Sequence, residues 1–79
     1  SARTLRERID SELYENRPEL LILDLSGIDF IDSSGLGLLL GRWQKARELG
    51  CEMRLKGCSE RTMRILELAG AQRLFTIEK

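Results

Sequence analysis

Seventy-nine residues allow one small domain, and 42% hydrophobic with 33% charged residues is ordinary for a folded one. Thirteen basic side chains balance thirteen acidic ones, so no net field draws in nucleic acid or an anionic membrane. The chain has no histidine, which removes Ser-His-Asp and Cys-His hydrolysis, histidine-ligated zinc and histidine proton relays. No apolar run reaches the roughly 18–20 residues that span a bilayer. The expectation is a cytoplasmic protein with no membrane or nucleic-acid partner and no metal or cofactor.

In chain order, Leu5, Ile9 and Leu13 recur every fourth position among Arg and Glu, which predicts a helix over residues 2–16 with one narrow apolar stripe. Pro18 ends it, because proline keeps the preceding residue out of helical geometry. Leu20 to Leu25, LLILDL, is a nearly unbroken apolar run of strand length and predicts a strand covered on both faces. A loop, SGIDFIDSSG, leads into a second helix. Its stripe is Leu36, Leu39, Leu40, Trp43 and Ala46, and Gly50 stands where a C-terminal cap belongs. Trp43 is expected in the core or at its margin, and Arg42 and Lys45 in solvent, with an acidic partner for Arg42 as the alternative. Cys51 to Lys56 alternates apolar and polar, a strand with one wet face. Ser59 is placed to cap a third helix carrying Met63, Leu66 and Ala69; Gly70 closes it, and LFTI, Leu74 to Ile77, reads as a last strand. Met53 and Met63 fill gaps in the core.

The two cysteines, Cys51 and Cys58, bracket the second strand. Its extended geometry holds their Cα atoms about 23 Å apart, beyond disulfide reach, and two ligands do not close a zinc site. A buried thiol at Cys51 and a loop thiol at Cys58 remain. Helix and strand alternate throughout, α-β-α-β-α-β, and the short connections imply an α/β fold: a small parallel or mixed sheet with crossover helices. With no strand ahead of it, LLILDL falls at or near an open edge, where pairing with a second copy into a homodimer is the hazard.

One stretch exceeds what such a fold needs: Phe30-Ile31-Asp32-Ser33-Ser34-Gly35-Leu36-Gly37. It joins the end of a strand to the start of a helix, the place where α/β proteins carry their chemistry. Asp32 and Ser33 are good capping residues, and Gly35 and Gly37 leave room for another molecule. A purely structural role, caps plus close helix packing, fits the same residues. Asp24 and Asp29 are polar residues of the same rim, and Phe30 and Ile31 pin the loop to the core. A phosphate cradle would want the Walker lysine, which is absent, and no base stands near to activate a serine.

FIDSSGLGLLLGRWQKARELG, preceded by LILDLSGID, resembles the signature of the STAS family, in particular its bacterial anti-sigma factor antagonists. The likeness covers nearly the whole chain, which reads as a single STAS-like domain over residues 1–79. The resemblance implies one or two further N-terminal strands and a C-terminal helix, absent from these residues. A piece of a longer protein is the first expectation, strands supplied by a second copy the next, and a shortened domain stable alone the last. The resemblance implies a binding module, with no catalytic residue. It implies that Ser34 is phosphorylated by an anti-sigma factor serine kinase, with a serine phosphatase to reverse it. The unphosphorylated form then binds the kinase and frees the sigma factor for transcription. Asp32, Ser33, Ser34, Gly35, Leu36 and Gly37 match the partner-binding segment, Gly35 to Gly37 at the exposed start of the recognition helix. Two other readings stay open at this stage. One is a STAS scaffold domain in a stress-signalling, anion-transport or lipid-transport assembly; the other is a nucleotide-binding domain.

Overall fold

The computed structural model describes residues 2–78, so the two end residues of the expected domain lie outside the described residues. Six elements follow one another: α1 (Ala2–Ser11), β1 (Leu20–Asp24), α2 (Ser33–Glu48), β2 (Glu52–Lys56), α3 (Glu60–Leu68) and β3 (Thr76–Glu78). The sheet is wholly parallel in the order β1-β2-β3, with Leu21 opposite Met53, Leu23 opposite Leu55 and Leu55 opposite Ile77. Two successive right-handed crossovers advancing in the same direction carry their helices over the same face. The core agrees. Ile9 and Leu13 from the first helical segment, Leu39 and Ala46 from α2, and Leu66 from α3 join Met53 and Leu55 of β2 in one buried cluster.

Among the described residues nothing covers the opposite face of the sheet. It carries Glu52, Arg54 and Lys56, beside Leu20 and Ile22, which are 40% and 42% exposed. Arg54 is held there between Glu52 and Glu78, at 3.0 and 3.2 Å. β1 is therefore a one-sided edge strand, not one covered on both faces as its composition suggests. Its burial does alternate, with Leu21 and Leu23 turned inward and Leu20 and Ile22 outward. Aliphatic side chains at the outward positions hide that alternation in the sequence. The last strand is also displaced: Phe75 is buried but precedes β3, and Leu74 lies exposed in the turn before it.

The helix ends follow their local chemistry. Beyond α1 the chain makes a π-helical turn, Glu12–Asn16, and stops at Arg17, whose φ of 47° and ψ of 54° are left-handed, just before Pro18. Gly50 and Gly70 take φ of +75° and +72° after α2 and α3, conformations that cost a side-chain-bearing residue energy. Ser59 caps α3, its Oγ accepting the Thr62 N–H at 3.0 Å. Trp43 is half-buried against the core, edge-on to Phe75 with ring centroids 6.4 Å apart.

Arg42 departs from expectation. Its side chain is only 13% exposed, and its guanidinium forms an ion pair with Asp10, tying α2 to α1. An i, i+3, i+4 stripe reports the apolar face of a helix but says nothing of a charged flank that meets another helix.

Candidate functional site

Parallel strands bring both crossover loops to the C-terminal edge of the sheet. There the loop from β1 to α2, residues 25–32, runs directly beside the loop from β2 to α3. Leu25 N–H donates to the Lys56 carbonyl at 2.8 Å, and Ile28 N–H turns back to the Leu25 carbonyl at 2.9 Å. Asp24 Oδ1 accepts the Ser26 N–H at 3.0 Å, and bonding to Ser26 holds the Asp24 carboxyl below its ordinary range. Gly57 is where the two loops touch. A Cβ there would stand 2.8 Å from Ser26 Cβ, and φ of +71° already favours glycine.

Further along, Ser59 Oγ donates to the Asp29 carbonyl, and Arg61 Nη1 meets Asp29 Oδ2 at 2.6 Å. The Arg61 guanidinium also lies 4.5 Å above the Phe30 ring. Ile31 is buried, so it does pin the loop. Phe30 does not: it is 51% exposed and anchored sideways to α3 by the arginine. Asp29 is likewise a brace between loops.

The loop ends in a cap. Asp32 has an extended backbone, and its Oδ1 accepts the Gly35 N–H at 2.8 Å while its carbonyl accepts the Leu36 N–H at 2.9 Å. That N-cap contributes about 1 kcal/mol to the helix. Ser33 and Ser34 occupy the first turn, where backbone N–H groups have no carbonyl four residues back. Both are exposed, and the Ser34 hydroxyl has no hydrogen-bond partner among the described residues.

The glycines of α2 differ from one another. A Cβ on Gly35 would come within 3.3 Å of Ile31 Cβ, so Gly35 is small because the loop folds against it. Gly37 faces open space, and Leu36 is half-buried against the core. Gly41, which the sequence reading passed over, is also exposed with open space where its side chain would be. Ser34, Gly37 and Gly41 follow i, i+3, i+7 and so share a face of α2. Glycine within a helix costs up to about 1 kcal/mol relative to alanine, and no neighbour demands it at Gly37 or Gly41. Gly41→Ala is therefore expected to raise stability by about 0.5–1 kcal/mol, read as a higher melting temperature of the isolated chain. A lower one would mean that an internal contact had been missed.

Ser34 opens on a depression whose other wall comes from far away in sequence. Leu5 and Arg8 of α1 line it together with Ile28, Phe30, Asp32 and Leu38. The contribution of α1 was not legible in advance, because residues some 25 positions away share no local pattern with the loop. The site offers an accessible hydroxyl with no base beside it: Asp32 is committed to its cap. On the loop from β2 to α3, the Cys58 thiol is pushed up by burial, which keeps it protonated and a poor nucleophile near neutral pH. Among the described residues there is no group of three or more carboxylate or thiol side chains placed to hold a metal ion. No described helix is long and apolar enough to cross a membrane.

The family model described as STAS domain matches residues 1–79. The chain is 30% identical over 73 residues to an anti-sigma F factor antagonist of Paenibacillus polymyxa, covering 92% of this chain and 62% of that protein. It is 31% identical over 77 residues to an anti-sigma-B factor antagonist of Bacillus subtilis, covering 98% and 69%. It thus spans less than two thirds of the first relative and only slightly more of the second. Among solved structures, a Thermotoga maritima protein assigned as a candidate anti-sigma factor antagonist superposes with a TM-score of 0.89 at 23% identity, over 99% of this chain and 67% of that one. That likeness speaks for the fold.

Proposed function

Because the chain belongs to the STAS domain family, we propose that it is an anti-sigma factor antagonist whose docking surface is switched by phosphorylation of Ser34. Its partner is an anti-sigma factor that is a serine kinase; the unphosphorylated chain binds that partner and so releases a sigma factor. The kinase transfers the γ-phosphoryl group of ATP to Ser34 Oγ. The new O–P bond forms as the bond to ADP breaks, and the hydroxyl proton passes to the base of the kinase. A serine phosphatase returns the hydroxyl by hydrolysis.

The observation that carries this reading is the hydroxyl of Ser34, exposed and without a partner among the described residues on the first turn of a helix that is already capped by Asp32. A kinase needs such a group, and the fold makes no use of it. The names of the relatives support the choice of partner. Open space at Gly37 and Gly41 supports α2 as the docking face, since a partner can approach the helix backbone there. Asp32, Ser33, Gly35 and Leu36 shape the same corner from the cap side. Chemically, the chain acts as a binding module and phosphoryl acceptor.

Incubation with a cognate anti-sigma kinase and ATP, followed by mass spectrometry, is expected to place one phosphoryl group on Ser34 and none on the Ser34→Ala chain. Modification at Ser33 instead, or none on the wild-type chain, would overturn the assignment.

A further inference from the structure

The depression beside Ser34 contains a cation that nothing so far described uses. Thr4 and Arg8 lie one turn apart on α1, on the face that helps to form its wall, and Arg8 is exposed with no hydrogen bond or ion pair among the described residues. The other arginine of this corner, Arg61, is already bonded to Asp29 and stacked on Phe30. The remaining charged group lining the depression is Asp32, which sits on the loop side and is held by the Gly35 N–H.

Resting on the reading of Ser34 as the phosphoryl acceptor, we propose that Arg8 is the intramolecular partner of the phosphoryl group. The physical case is one of exclusion and fit. A phosphoserine carries about −1.5 to −2 charges near neutral pH. Asp32 repels that charge and cannot swing away without uncapping α2. Arg61 would have to give up Asp29. Arg8 borders a second depression with Glu12 and Asp24 but is bonded to neither, nor to any other described residue, and its planar fork of N–H donors matches two phosphoryl oxygens at once. The apolar residues between them, Leu5, Ile28, Ile31 and Leu38, thin the surrounding water and strengthen the attraction. The phosphoryl group therefore leans toward α1 and bridges the depression. The modified chain presents a filled corner where the unmodified one presents an open one.

The test uses the chain with phosphoserine placed at position 34 during synthesis and 31P NMR to follow the second ionisation of the phosphate, ordinarily near pH 6. A guanidinium partner favours the dianion and lowers that value. Arg8→Gln is expected to raise it by about half a unit, and Arg8→Lys to restore part of the difference. Arg73→Gln removes the same charge just before β3, at the other end of the sheet, and is expected to leave the value within about 0.1 unit. If Arg8→Gln and Arg73→Gln titrate alike, the pairing is wrong. No kinase enters the measurement. Failure here thus leaves the proposed function standing, and failure of a kinase to modify Ser34 leaves this result untouched.

Discussion

Ser34→Asp is expected to bind the proposed partner, an anti-sigma kinase, about 100-fold more weakly than Ser34→Ala, measured by isothermal titration with the same kinase preparation. The alanine variant is the reference because it also lacks the hydroxyl, so the ratio isolates charge. The effect follows from where the side chain stands. An interface made for a small neutral group at the tip of α2 must desolvate a carboxylate when Ser34 is replaced by aspartate. It must do so beside Asp32, whose position is fixed by its bond to Gly35. A hundredfold loss corresponds to about 2.7 kcal/mol, within the range for an unpaired charge buried at an interface. The phosphoryl group, with nearly twice the charge and more bulk, is expected to exceed it. The fold has no part in the effect: the Ser34 hydroxyl is exposed and has no partner among the described residues, so both variants should melt within a degree or two of the wild type. Equal affinities for Asp and Ala would dispose of the electrostatic switch.

The largest stability effect is expected at the centre of the sheet. Leu55 is fully buried on the middle strand, between Leu23 and Ile77 in register and under the helical layer. Leu55→Ala removes aliphatic volume where neighbours on both sides are fixed by backbone pairing, so the site closes poorly. A cost of about 3 kcal/mol is expected. For a domain of this size that lowers the melting temperature by roughly 12–24 °C. Ile22→Ala, one strand away on the bare face, should cost less than about 1 kcal/mol, because its side chain is already 42% exposed. Thermal unfolding by circular dichroism compares the two. Similar losses at both positions would contradict a sheet covered on one side only.

Much of this architecture was legible in advance because local chemistry and the fold agree. Asp32 and Ser59 cap the helices they precede, glycines take the left-handed turns at 50 and 70, and Leu5, Ile9 and Leu13 face inward. What escaped was everything decided by a neighbour distant in sequence. A run such as LLILD gives no sign of which face is uncovered, since that depends on the direction in which the crossovers advance. Arg42 looked like a solvent residue because its partner, Asp10, belongs to another helix. Phe30 looked like an anchor to the core, yet an arginine 31 positions later holds it at the surface. In the site, the residues of the DSSGLG segment were visible as a string. The wall supplied by Leu5 and Arg8 became visible only when α1 packed beside α2.

The division of labour between Asp32 and Ser34 has a consequence for how long a signal lasts. The residue that holds the helix start and the residue offered for modification are two positions apart and share no bond. On the proposed function, altering the second leaves the first and its helix cap intact. Both forms then start α2 from the same cap, so on that reading the ratio between them can be rewritten many times on the same molecules without new synthesis.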